Sequence, residues 1–196
     1  EHKEKASAAR NHFTEALGRS RQRNCTINWD ELHLQVVDMT GLDLPFSEHE
    51  VWSAIQASPA EKAPGPDSFT GLFFRACWDI IKQDIMAVFN KFYHLAGTNF
   101  DGLNSALIAL LPKKDDATEM RHFRPISLIH SVAKLIAKVL SMRLAPKLKD
   151  LISPAQTAFQ KGKCIHDSYQ YVQGCVRALH RDKKSALLFK LDIAKA

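Results

Sequence analysis

The sequence predicts an α+β domain, and three observations carry that prediction. Stretches with apolar residues at helical spacing cover roughly residues 47–58, 70–94, 132–144 and 165–179. Two short apolar runs, 105–111 and 122–128, flank a charged loop as the strands of a hairpin do. A last apolar run, Ala186-Leu187-Leu188-Phe189-Lys190-Leu191, has the length and composition of a buried strand and delivers an acid, Asp192, to its end. The order is helices, hairpin, helices, strand.

At 196 residues, 45% hydrophobic and 24% charged, the chain is long enough to bury a core and ordinary for a globular protein. No apolar stretch reaches the ~20 residues of a membrane span, and no membrane role is expected. The opening EHKEKASAARNHF has no apolar signal region. Its abrupt, helical start suggests that something preceded it. Cys25, Cys77, Cys164 and Cys175 form no CxxC pair, and Cys164 with His166 makes only a CxH. Reduced, mostly packed thiols of an intracellular protein are expected rather than a zinc site. Net charge is +6 and unevenly placed: residues 1–100 hold 10 Lys/Arg against 13 Asp/Glu, and residues 101–196 hold 17 against 8. The basic second half suits a polyanionic partner or a solvated basic face.

Each element has its own signal. Residues 1–45 read as a helix, a turn near Gly18 to Asn28 and a short segment with Trp29, Leu32, Leu34 and Val36, a linker packed loosely on residues 46–196. Ser47 and Glu50 form a capping box, with Phe46 and Val51 at the staple positions, and Pro59 ends that helix. Lys62-Ala63-Pro64-Gly65-Pro66-Asp67 is a stiff turn. From Thr70 to His94 one helix is expected, rich in Leu72, Phe73, Phe74, Trp78, Ile81, Ile85, Val88, Phe89 and Phe92, with its aromatics read as core packing. The next long helix places Val132, Leu135, Ile136, Val139, Leu140 and Leu144 inside, with Lys134, Lys138, Arg143 and Lys147 mostly outside. In the last helix Tyr169, Val172 and Val176 share a stripe.

Three constellations could carry chemistry. Asp192 at the end of a buried strand must be exposed, paired or bound to a cation. An aspartyl nucleophile would want a second Asp where Ala194 stands; a Mg²⁺-binding carboxylate in a two-metal site, with a neighbouring backbone carbonyl, and a helix cap are the other readings. Lys113, Lys114, Arg121 and Arg124 lie at the tip and return of the hairpin, where they could converge on a polyphosphate or form an exposed basic turn. The 62–67 turn suits contact with a nucleic-acid strand or a plain corner between helices.

Taken in order, Lys62 to Asp67, Leu110 to Lys114, Phe123 to Leu128, Ala137 to Leu140 with Arg143-Leu144, Gln156 to Phe159 with Ile165 to Asp167, and Lys190 to Ala196 resemble the blocks of a reverse transcriptase of the non-LTR (LINE-type) retrotransposons. The wording is similar to the plant branch, and the resemblance covers about residues 28–196. It implies helix-rich fingers and the first palm strand of a right-hand polymerase, with an incomplete palm and no thumb, in residues 46–196. Residues 1–45 resemble the segment joining an endonuclease to the polymerase. It further implies that Asp192 is the first metal-binding, catalytic aspartate, that Ile193 offers a backbone carbonyl, and that Ala196 precedes the aromatic that checks the sugar. Lys113 and Arg124 match residues that hold the incoming nucleotide. Lys62, Pro64, Gly65, Asp67, Lys114, Lys138, Gln156 and Lys161 fall in the parts that touch nucleic acid or shape the fingers. The expected partners are an RNA template, a DNA primer, a dNTP and Mg²⁺, for a monomer acting in nucleus or cytoplasm. Where the family has Gly after GPD this chain has Ser68, which carries a penalty of about 1 kcal/mol if the position needs φ > 0. The family's remaining carboxylates do not occur within these 196 residues, so a truncated copy or fragment, inactive as a polymerase alone, is expected. The alternatives are a non-catalytic nucleic-acid-binding remnant and a decayed element product.

Overall fold

The computed structural model describes residues 2–17, 25–32, 36–94, 102–160 and 162–191. Helix α1, His2–Leu17, is largely exposed, and a 3₁₀ turn follows at Asp30–Leu32. Helix α2, Glu48–Gln56, starts as its sequence dictates. Ser47 Oγ accepts from the Glu50 N–H at 3.3 Å, and Glu50 Oε2 accepts from the Ser47 N–H at 3.0 Å. Both staple residues, Phe46 and Val51, are buried.

The single helix expected over 70–94 is two: α3, Gly71–Ala76, and α4, Trp78–His94. Cys77 separates them at φ −102° and ψ 7°, in the bridge region. The residue is neither Gly nor Pro, so nothing local announced the break.

The hairpin forms as expected. Strand β1, Ala106–Pro112, pairs antiparallel with β2, Phe123–Ile129, from Ala106↔Ile129 to Pro112↔Phe123. Pro112 extends the strand instead of ending it. Pro112 and Pro125 are tolerated because a two-stranded ribbon is all edge. Helix α5, Ser131–Leu144, leads through a 3₁₀ turn, Ala145–Lys147, into the short α6, Leu148–Leu151, and α7 runs Ile165–Arg181.

The core gathers Phe46, Val51, Ala54 and Ile55 of the α2 region, Phe74, Trp78, Ile85 and Phe89 of α3 and α4, and Leu135, Ile136 and Val139 of α5. Phe46 meets Phe89 edge-on at 5.1 Å, and Trp52 stacks on Trp78 at 5.3 Å. Of the apolar residues expected inside α5, Leu140 and Leu144 are instead partly exposed.

Polar tethers across long sequence separations fasten this core. The Arg75 guanidinium donates to the carbonyls of Ile55, Gln56 and Ser58, taking up orphan acceptors at the end of α2. Asp67 caps α5 from outside it, accepting from the Ser131 N–H and, at 3.3 Å, from its hydroxyl. Arg143, expected on the outside, is 9% exposed. It pairs with Glu50 at 2.7 and 2.9 Å, donates to the carbonyls of Leu42, Leu44 and Pro45, and lies 4.4 Å over the Phe46 ring. A planar five-donor fork satisfies such a cluster where an ammonium would not. The end of the presumed loose linker is thereby fastened to α5. Arg143 hydrogen bonding holds the Glu50 carboxyl at about 2, and Glu50 in turn raises Arg143.

Two further expectations need correction. Residues 186–191 form no strand, and Leu187, Leu188, Phe189 and Leu191 are exposed. Among the described residues nothing pairs with their backbone, and an apolar run without a ladder partner is not a strand. The thiols are free, but Cys25, Cys164 and Cys175 are exposed rather than packed, with Cys77 in between.

Candidate nucleotide and nucleic-acid interface

The hairpin brings two of the expected residues together. In the register, Leu111 faces Arg124, and the Lys113 N–H donates to the His122 carbonyl at 2.8 Å, continuing the ladder one step. Side chains two positions apart share a face, so Lys113 and Arg124 are diagonal neighbours on one side of the hairpin, with His122 beside them. Lys113 Nζ donates to the Arg121 carbonyl at 2.7 Å, which holds it over the loop. Lys114 falls on the other face and pairs with Asp116 at 3.3 Å, and Arg121 pairs with Glu119 at 2.6 Å. The four basic residues therefore divide: Lys113 and Arg124 form a candidate phosphate clamp, while Lys114 and Arg121 are matched by loop acids. The His122 Nδ1 atom, buried beside this clamp, has no hydrogen-bond partner among the described residues.

The 62–67 turn divides in the same way. A Cβ on Gly65 would collide with the Ile129 carbonyl and come within 2.8 Å of the His130 nitrogen, so this glycine exists to let the turn press on the β2–α5 junction. Asp67 faces the same junction and is occupied by Ser131. His130 lies between Asp67, at 3.8 Å, and the Ser105 hydroxyl, at 3.2 Å. Gly65 and Asp67 thus perform architectural work, and the face left for a strand is that of Lys62 and Pro64. Ser68 does occupy the left-handed region, at φ 59°, the geometry for which glycine is the better residue.

Lys62 and Lys138, far apart in sequence, meet at one cavity together with Lys134. Lys134 and the exposed ring of Phe69 were not among the expected site residues. A lysine four positions before Lys138 on the same helix face was the available signal. Gln156 is exposed and donates to the Ala158 carbonyl at 3.3 Å, within an irregular segment after α6. Lys161, Asp192, Ile193 and Ala196 lie outside the described residues. Among the described residues no three His, Cys, Asp or Glu side chains form a group that could hold a metal ion. No helix of the described residues is long and apolar enough to cross a membrane.

Residues 111–196 match the family of reverse transcriptases (RNA-dependent DNA polymerases). The chain is 30% identical over 155 residues to the "Transposon TX1 uncharacterized 149 kDa protein" of Xenopus laevis, a match covering 79% of this chain and 12% of that protein. It is 29% identical over 126 residues to the "Retrovirus-related Pol polyprotein from type-1 retrotransposable element R1" of Bradysia coprophila, covering 63% of this chain and 12% of that protein. A third relative, the "Putative 115 kDa protein in type-1 retrotransposable element R1DM" of Drosophila melanogaster, is 23% identical over 133 residues. The chain spans 12% of the length of the first two and 13% of the third. These matches bear out the resemblance to reverse transcriptases of LINE-type retroelements, and the α+β class with it.

Proposed function

We propose that this chain, whose residues 111–196 carry the reverse-transcriptase match, is the fingers portion of an RNA-directed DNA polymerase of a LINE-type element. In that enzyme it would bind an RNA template and a DNA primer and hold the incoming dNTP. The observation that carries the reading is the hairpin, where Lys113 and Arg124 share a face within the matched region. Arg supplies a fork and Lys a point charge to phosphate oxygens. Lys62, Pro64, Lys138, Lys114, Gln156 and Lys161 belong to the proposed path of the nucleic acid.

Asp192, with the Ile193 carbonyl, is the proposed start of the metal site. When bound, Mg²⁺ would neutralise charge developing on the transferred phosphoryl oxygens. Among the described residues no three His, Cys, Asp or Glu side chains gather to hold it. The plant branch, read from the wording of the blocks, is part of the proposal, as are a monomeric state and action in nucleus or cytoplasm. One aspartate cannot hold two cations, so primer extension by these 196 residues alone is not expected.

Binding of the chain to an RNA–DNA primer-template, measured across salt concentrations, tests this reading. Affinity should fall steeply with salt, and Lys113→Ala/Arg124→Ala should weaken it and flatten the salt slope by up to ~2. A salt-insensitive interaction, or none at low salt, would sink it. A second reading, a decayed element product, is favoured by the exposed apolar side chains of Leu187, Leu188, Phe189 and Leu191, an aggregation hazard.

A further inference from the structure

A cavity of about 300 Å³ opens between α2, the 62–67 turn, α3 and α5. Its floor is apolar: Ile55, Phe74 and Leu135 are each buried. Phe69 lines it with 44% of its surface exposed, and its ring is held flat by stacking on Phe73 at 4.3 Å and 19°. Lys62, Lys134 and Lys138 also line it, and no acidic residue does. The Ser58 hydroxyl donates to the Ala54 carbonyl, and the single Ser131 hydroxyl proton is shared between the Phe69 carbonyl at 2.6 Å and Asp67 at 3.3 Å. Lys134 donates to the Ala63 carbonyl at 3.0 Å, leaving two of its three protons, while Lys62 and Lys138 make no hydrogen bond or ion pair among the described residues.

We propose that this cavity seats one unstacked nucleotide of a single nucleic-acid strand, its base against Phe69 and its flanking phosphates on Lys62, Lys134 and Lys138. The inference rests on the proposed function and adds a base-holding site to it. An apolar floor with a positive rim requires a ligand that is flat and apolar at one end and anionic at the other. A presented aromatic face is how single strands are held without reading their sequence. Lys134 and Lys138 stand one helical turn apart, ~5–6 Å at Cβ, which puts both ammonium groups within reach of the phosphates flanking one nucleotide. Pockets for small molecules start at roughly 300 Å³, so this one takes a single nucleotide and not a long acyl chain.

The test measures binding of the purified chain to single strands of about 12 nucleotides: RNA, DNA of the same sequence, and an abasic phosphodiester of equal length, with AMP as a fourth ligand. Phe69→Ala should weaken the base-bearing strands by about tenfold and leave the abasic strand unchanged, and Phe69→Trp should restore them. Lys138→Ala should weaken all three strands, more at low salt than at high. Circular dichroism melting identifies a variant that fails to fold, in which case the Trp and Lys138 variants decide. Equal losses on base-bearing and abasic strands, no loss from either variant, or AMP binding as tightly as a strand would overturn the proposal. If the Phe69 variants fail this way while Lys113→Ala/Arg124→Ala still weakens primer-template binding, the cavity assignment falls and the proposed function stands. If wild type binds no strand at low salt, both fall.

Discussion

The core around Phe89 and the hairpin of β1 and β2 lie in one chain but are held together differently. In the core, Phe89, Ile55, Val51 and Val139 are fully buried, and arginine and aspartate side chains reach across long sequence separations to satisfy helix ends and loop carbonyls. In the hairpin, the ladder is satisfied within itself and Leu107, Ile108 and Leu111 remain exposed. Helix α7 resembles the hairpin, with no buried residue and Ile165, Tyr169 and Val176 open to solvent. The core is therefore where substitutions should cost stability, and the hairpin is where they should cost binding. Loops and edges tolerate change because few contacts depend on them.

The largest effect should come from Arg143→Ala. It would leave Glu50 unpaired and three carbonyls without donors, costing about 3 kcal/mol in urea unfolding. The variant should also change the acid limb of stability. Glu50 is held at about 2 in the folded protein against an ordinary 4.5. A depressed carboxyl contributes stability that is full above 4.5 and lost as pH falls through 2. Asp38, also near 2 through Thr40 and Lys147, titrates from an ordinary 3.8, and its exposure to solvent leaves it the minor contributor. Wild type should thus lose stability between pH 4.5 and 2, and Arg143→Ala should lose less because the largest cause of the Glu50 depression is gone while the Ser47 hydrogen bonds remain. An unchanged acid slope would show that the pair does not set it.

Gly65→Ala comes next, at about 2 kcal/mol, because its methyl would strike backbone at Ile129 and neither chain can move without disturbing Asp67 on Ser131. A neutral result would show that the turn and the β2–α5 junction are not pressed together. Ser68→Gly should have the opposite sign. At φ 59° the serine stands in a region disfavoured for side chains, and glycine should raise stability by about 1 kcal/mol. Destabilisation instead would place the larger unfolded-state entropy of glycine above the strain.

These sites also show what the sequence could reveal. Local chemistry was legible: the Ser47–Glu50 box and much of the apolar stripe of α5 are set by neighbours a few residues away, and the hairpin, though not its register, by two apolar runs about one charged loop. The unusual position of Ser68 was visible because one residue type broke a resembling block. What depended on distant partners was not. Arg143 sits at the polar end of an amphipathic helix, and nothing near it says that Glu50 and the 42–45 carbonyls come to it. The run at 186–191 has strand composition, yet a strand exists only through a neighbour. In the candidate site, Lys113 and Arg124 were singled out by the resembling blocks and their shared face came from the register, whereas Phe69 and Lys134 became visible only when three elements closed around one cavity.

The smallest effect should come from Leu107→Thr with Ile108→Thr on β1. Both residues are more than half exposed, at 57% and 59%, and threonine, β-branched, suits a strand at either position. Little apolar area returns to water on substitution, so unfolding free energy should move by no more than about 0.5 kcal/mol. Because the two residues alternate faces, both sides of the ribbon are sampled by one variant. The same change removes apolar surface from a ribbon that has two open edges, so solubility should rise while melting stays put. A loss as large as that of Arg143→Ala would mean that the hairpin's apolar residues are covered in solution, and the division between a self-contained core and an open hairpin would have to be redrawn with the hairpin inside the cooperative unit.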